Sequence, residues 1–149
     1  MTDQEHFDYL LKKNHFDSQS FDDLSIDGIC FSDCNLEMVS FHDATFRNCS
    51  FEKCDFYGAI LNGVNFLDCN FIATDFSGAS LEGALFTGTT LDACIFGLNA
   101  FGRGANITGA SFLDATLKNC VFQKTRYNDM TVFPCGFDIA KYDLFLKNN

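Results

Sequence analysis

Eight cysteines and three histidines are the residues of this chain best equipped to do chemistry. Thiolates and imidazoles hold zinc, and a thiol beside an imidazole makes a nucleophile. The spacings favour neither use. No Cys-x-x-Cys occurs, and the pattern pairs no cysteine or serine with His6, His15 or His42. The acidic residues are scattered, so general acid–base work has no anchored pair. Catalytic residues, cofactor-binding residues and metal ligands are therefore not expected. What the cysteines share is a position. Cys34, Cys49, Cys54, Cys69, Cys94, Cys120 and Cys135 each stand two residues before a large apolar residue, and Cys30 stands directly before one. A disulfide framework belongs to small secreted chains with little core. Reduced thiols used as small apolar groups match the pattern better.

That position is one phase of a five-residue period. From Phe16 to Phe101 every fifth residue is large and apolar, including Phe31, Phe41, Phe46, Phe51, Phe56, Phe66, Phe71, Phe76 and Phe86. The count resumes at Ile107 and runs through Phe112, Leu117, Phe122, Tyr127, Val132 and Phe137. Five residues advance about 140° on an α-helix, which would wind the column round every face. On a strand an odd step alternates between faces. The chain must therefore turn once per unit. Two residues before the centres small groups recur, Ala44, Ala59, Ala79 and Ala84 besides the cysteines. One large and one small inward residue per unit is what a narrow, filled tube requires. Gly28, Gly58, Gly63, Gly78, Gly83, Gly88 and Gly109 lie two residues after a centre. A type II turn begun at the centre needs positive φ there. Asp33, Asp43, Asn48 and Lys53 at the same phase predict another turn type in their units.

The units Ala79-Ser80-Leu81-Glu82-Gly83, Cys69-Asn70-Phe71-Ile72-Ala73 and Thr74-Asp75-Phe76-Ser77-Gly78 resemble the A(D/N)LXX motif of pentapeptide-repeat proteins. The resemblance covers residues 14–137. It implies an all-β solenoid, a right-handed quadrilateral β-helix of about six coils with four units per coil and short helices at one or both ends.

Open coil ends need covering. Thr2 and Glu5 spell a capping box, and Phe7, Leu10 and Leu11 share a face of the helix it would start. That helix, within residues 1–13, would lid the first coil. Asp138 heads a second expected helix, residues 138–149, carrying Ile139, Tyr142, Phe145 and Leu146. It is either a lid or a homodimer contact, since the resemblance implies pairing through the C-terminal end. Leu113 and Phe133, at nominally outward positions, would join such a contact. The period is interrupted near Arg103, where one residue is added to the count. This predicts a bulge rather than a projecting loop, with Arg103 as a candidate contact.

The formal charge of −10 argues against direct nucleic-acid binding. No apolar run is long enough for a membrane helix, and the acidic N-terminus lacks a signal stretch, so a cytoplasmic protein is expected. The charge is uneven. Residues 1–45 hold ten acids against Lys12 and Lys13, whereas residues 100–149 hold four acids against six bases. A filled tube offers no cavity, so the expected function is a non-catalytic scaffold for protein–protein interaction, its partner unknown. Outward apolar residues such as Tyr57, Ile60, Leu67, Ile72, Leu85 and Ile95 supply contact area. The resemblance implies an alternative: an acidic DNA mimic that binds a type II topoisomerase, protecting or inhibiting gyrase as quinolone-resistance members do.

Overall fold

The computed structural model describes residues 2–148. From Phe16 onward the chain turns a corner at each unit and returns to its starting face after four. Residues twenty apart therefore lie on neighbouring coils. Phe16 N donates to Asn35 O and Phe21 N to Ser40 O, both at 2.8 Å, and the same pairing climbs the rod. Six coils result, every rung parallel. Ten short strands mark the flatter parts: β1 (Ser25–Asp27), β2 (Cys30–Ser32), β3 (Thr45–Arg47), β4 (Ser50–Glu52), β5 (Asn65–Leu67), β6 (Asn70–Ile72), β7 (Thr90–Asp92), β8 (Ile95–Phe96), β9 (Thr116–Lys118) and β10 (Val121–Tyr127). One face carries β1-β3-β5 and the next β2-β4-β6-β7-β9.

The central residues fill the tube. Phe31, Phe41, Phe46, Phe51, Phe56, Phe66, Phe71, Phe76 and Phe86 are all buried. Their rings stack coil on coil: Phe31 on Phe51 at 4.6 Å, Phe51 on Phe71 at 4.7 Å, and Phe86 on Phe112 at 4.7 Å. In-register parallel pairing dictates this, because identical positions must superpose at the strand spacing of about 4.8 Å.

The small inward column is not uniform, and its variation tracks backbone type. After a turn-type unit, whose central carbonyl accepts the N–H three residues on, the corner residue is apolar at Val39, Ala44, Ala59, Val64, Ala79, Ala84, Ala110 and Ala115, and polar at Gln19 and Thr89. After a strand-type unit it is Cys34, Cys49, Cys54, Cys69, Thr74, Cys94, Cys120 or Thr125, with Ile29 after β1 the exception. The cysteine and threonine side chains donate to backbone carbonyls. Thr74 Oγ1 donates to Phe51 O at 3.2 Å, Cys54 Sγ to Phe31 O at 3.5 Å and Cys120 Sγ to Leu91 O at 3.3 Å. The cysteines are thus more than small apolar groups: they serve as weak donors at corners where a carbonyl faces inward.

The turn itself is shared more widely than expected. Gly28, Gly58, Gly63 and the other in-phase glycines have φ between 64° and 68°, but Asp33, Asp43, Asn48 and Lys53 also have positive φ, from 52° to 55°. At Asp43 the turn is closed like the glycine turns, Ala44 N donating to Phe41 O at 3.0 Å. The coil geometry imposes the conformation whatever residue occupies the position. Ala73 (φ 49°) and Ala93 (φ 55°) have no side-chain group to offset the strain of the left-handed region, about 1–2 kcal/mol. Ala73→Gly and Ala93→Gly should each stabilise the rod by about 0.5 kcal/mol after the added unfolded-state entropy, read by urea denaturation.

The ends are closed differently. Helix α1 (Asp3–Leu11) has the full capping box, with Glu5 N donating to Thr2 Oγ1 at 3.2 Å and Thr2 N to the Glu5 carboxylate at 2.8 Å. It plugs the first coil with Phe7, whose ring lies 5.2 Å from Phe16 and 5.3 Å from Phe21. At the other end the expected helix over 138–149 is not formed. Asp138 caps only a single 3-10 turn, Ile139–Lys141, and the chain then extends as β11 (Asp143–Leu146), parallel to β10. The unpaired edge of the last coil explains this: β10 offers a row of backbone groups that a strand satisfies and a helix does not.

Candidate interaction loop and surface

The interruption near Arg103 is a loop. Ser80 is paired with Asn106 and Leu85 with Ser111, offsets of twenty-six, where Ile60 and Ser80 are offset by twenty. Six residues are therefore added, not one. Phe101, in phase with the column by sequence count, does not enter it: the residue is 88% exposed at the loop tip. The inward site above Leu81 is taken by Ile107.

The loop is internally organised around Asn99. Its N–H donates to Arg103 O at 2.8 Å, and its Oδ1 accepts Phe101 N at 2.9 Å and Arg103 N at 3.0 Å. Leu98 and Gly104 form an antiparallel bridge at the neck, closed by Ala105 N donating to Gly97 O at 3.1 Å. Ala100 N donates to the hydroxyl of Tyr57, two coils down. Three glycines leave room for the excursion. A Cβ on Gly78 would run into the Asn99 side chain, one on Gly97 into Ser77, and one on Gly104 into the backbone carbonyl of Lys124. Arg103, exposed beside Phe101, joins no ion pair among the described residues. The sequence did carry a signal for the loop: Gly97, Gly102 and Gly104 lie outside the turn phase that every other glycine up to Gly109 obeys.

A second irregularity sits in the last coil. Ser111 is paired with Val132, an offset of twenty-one, so one residue is added before it. Val132 is consequently exposed, and Phe133 turns inward to stack on Phe112 at 6.2 Å and on Phe137 at 4.7 Å. Phe133 is therefore unavailable as an outward contact, and Cys135 is displaced from the inward column to the surface. Of the other residues named for a C-terminal contact, Leu113, Ile139, Tyr142, Phe145 and Leu146 are exposed. Tyr142 also stacks on Phe137 at 4.6 Å and so belongs to the end cap.

Elsewhere the surface offers little machinery. A cleft of about 390 Å³ lies at the C-terminal end between Leu117, Pro134, Phe137, Lys141 and Tyr142. Asp138, its single carboxylate, is engaged in capping Ala140 N at 3.1 Å. Among the described residues no three histidines, cysteines or carboxylates gather into a metal-binding group, and no helix is long and apolar enough to cross a membrane. On the acidic N-terminal coils the Glu37 carboxyl is raised above its usual range, chiefly by the charge of Asp55.

The thiols form three stacked pairs. Cys34 lies under Cys54 and Cys49 under Cys69, as twenty-residue coils require, and Cys94 lies under Cys120 across the loop-bearing coil. Within each pair the thiol one coil away is the strongest influence. Cys49 and Cys120 are lowered to about 7, and Cys34 is lowered too, because the partner thiol hydrogen-bonds to the ionised form. Cys54, Cys69 and Cys94 are raised by that same bond and by burial.

The pentapeptide-repeat model matches residues 27–63, 49–88 and 65–96, with eight copies. No curated protein matches the chain in sequence. Among solved structures it is similar to the pentapeptide-repeat protein Rfr23 of the cyanobacterium Cyanothece 51142, with 16% identity, 87% of this chain and 99% of that one covered, and a TM-score of 0.54. A pentapeptide-repeat protein of the Arabidopsis thaliana thylakoid lumen is 24% identical over 85% of this chain and 73% of its own, with a TM-score of 0.50. QnrB1, a plasmid-mediated fluoroquinolone resistance protein, aligns over 90% of this chain and 91% of its own at 15% identity and a TM-score of 0.35. The repeat continues below the matched segment in steps of twenty and above it with the two insertions just described, and the chain carries the repeats and the parallel coil fold of pentapeptide-repeat proteins.

Proposed function

We propose that this chain is a non-catalytic scaffold for protein–protein interaction whose principal contact is the loop from Leu98 to Gly104. The observation that carries this reading is Phe101, 88% exposed on a loop pinned at its neck, at its centre and to Tyr57. A large apolar side chain costs free energy in water, and a pre-ordered loop binds without the entropic penalty of ordering. Arg103 beside it adds a free guanidinium, the pairing of aromatic and arginine that dominates binding hot spots. The protein would act in a reducing compartment, the cytoplasm, where its eight thiols stay unbridged.

The test compares the wild-type chain with Phe101→Ala for capture of its partner from source lysate, followed by affinity measurement on the captured protein. A hot-spot aromatic is worth about 2 kcal/mol or more, so affinity should fall about 30-fold. Equal affinity would move the contact elsewhere on the rod. Gyrase supercoiling is the parallel assay for mimicry. The acidic charge that mimicry needs lies on the first coils, away from the loop, and no inhibition is expected.

A homodimer through the C-terminal end is a further element of this proposal, now resting on Phe145 and Leu146 of β11, 60% and 45% exposed. Removing residues 138–149 is a poor test, because Tyr142 and Leu144 cover the last coil. Phe145→Asp leaves the cap in place. It should halve the mass seen by light scattering, and an unchanged mass would exclude β11 as the joint.

A further inference from the structure

The inward cysteines have a chemistry that their structural role does not require. Thr74 and Thr125 occupy equivalent corners and make the same carbonyl bonds with shorter distances, 3.2 and 2.6 Å. Hydrogen bonding alone therefore does not call for sulfur. What sulfur adds is affinity for soft metals, and here it is presented in twos. Cys34–Cys54, Cys49–Cys69 and Cys94–Cys120 are held at matching positions of consecutive coils by the pairs that flank them, Phe31↔Phe51, Arg47↔Leu67 and Asp92↔Lys118.

We propose that each stacked thiol pair is a digonal site for a soft, two-coordinate d10 cation, mercuric ion above all. The geometry supplies the first reason. Metal–thiolate bonds of about 2.3 Å set in line span about 4.6 Å, close to the ~4.8 Å rise between coils. Among the described residues no third histidine, cysteine or carboxylate joins any pair in a metal-binding group, which disfavours tetrahedral zinc and leaves the linear ions. Charge supplies the second. Each binding event breaks two S–H bonds and forms two S–Hg bonds: one mercuric ion and two thiols give one uncharged bis-thiolate and two protons. A buried neutral complex avoids the cost of a buried charge, whereas monovalent copper or silver would leave a net negative charge inside the rod. The pairs sit at rod corners rather than on the axis, so opening of a single corner admits the ion.

The experiment uses the full chain with its two exposed thiols removed, Cys30→Ser and Cys135→Ser, titrated with mercuric chloride. Tight uptake should end at three ions per chain, one for each stacked pair, with two protons released per ion. A thiolate-to-mercury absorption band should appear, far-UV circular dichroism should stay unchanged, and the thermal midpoint should rise as neighbouring coils become cross-linked. Cys54→Thr, Cys69→Thr and Cys120→Thr, each borrowing the residue that Thr74 already places at such a corner, should each remove a third of the absorption band. An endpoint of one ion and one proton per thiol would overturn the proposal. So would uptake only as the circular dichroism collapses, or no uptake by the folded chain.

Discussion

Phe76→Asp should leave the chain unfolded, while Phe101→Asp should leave its stability unchanged. Both phenylalanines fall in the same phase of the five-residue count, so only the fold separates them. Phe76 is fully buried, with its ring 5.2 Å from Phe56 below and 5.1 Å from Phe96 above. Truncating such a ring costs about 3–5 kcal/mol. The carboxylate adds the penalty of a buried charge with no partner, several kcal/mol more. The sum reaches the whole stability of an ordinary domain, about 5–15 kcal/mol. Phe101 has no such contacts, and its replacement should stay within about 0.5 kcal/mol. Circular dichroism and thermal melting of the two variants side by side decide the matter. Loss of structure in Phe101→Asp would mean that the loop tip is part of the core.

Gly104→Ala should be the most damaging single methyl group in the chain. The added Cβ meets the carbonyl of Lys124 and that of Gln123, both backbone atoms of β10, and neither can rotate away. Overpacking costs about 1–3 kcal/mol, and a wall of backbone argues for the upper end. Gly83→Ala is the companion. Its φ is +68°, but nothing lies within 4 Å of the new Cβ, so only the conformational cost of about 1 kcal/mol applies. Denaturation of both variants separates crowding from strain. Gly104→Ala should also shift the loop and weaken partner capture, which Gly83→Ala should not. Equal losses in stability would show that the neck of the loop has room to yield.

The coil architecture was legible because one side chain per unit has nowhere to go but inward. The N-terminal plug was legible for a similar reason: Thr2 and Glu5 are a local device that needs no tertiary context. The loop was misread because Phe101 kept the count by coincidence. A period is evidence of burial only where the neighbouring phases agree, and Gly102 and Arg103 do not agree. Phe133 was misread one step along, since the extra residue before Val132 falls among Asn128, Asp129 and Met130, where no apolar landmark shows it. The C-terminal strand was hidden for another reason. Residues 138–146 suit a helix by local pattern, and what decides between helix and strand is the open edge of β10, a partner that exists only once the rod has formed. The turn residues show the same limit from the other side. Lys53 and Ala73 carry no local preference for positive φ, and the coils above and below hold them there.

One coil closes its circuit in twenty-six residues where the coils below it take twenty, yet Phe96 still sits 5.1 Å from Phe76 and 5.0 Å from Phe122. The corner after Phe96 is thus a port at which chain length has been uncoupled from architecture. Sequence can be added there without re-solving the rod, because the coils on either side register against each other and not against the insert. A lineage of such rods can acquire new binding specificities by lengthening one corner while every buried residue stays as it is. The same corner is where a foreign recognition segment would be grafted with the least effect on folding.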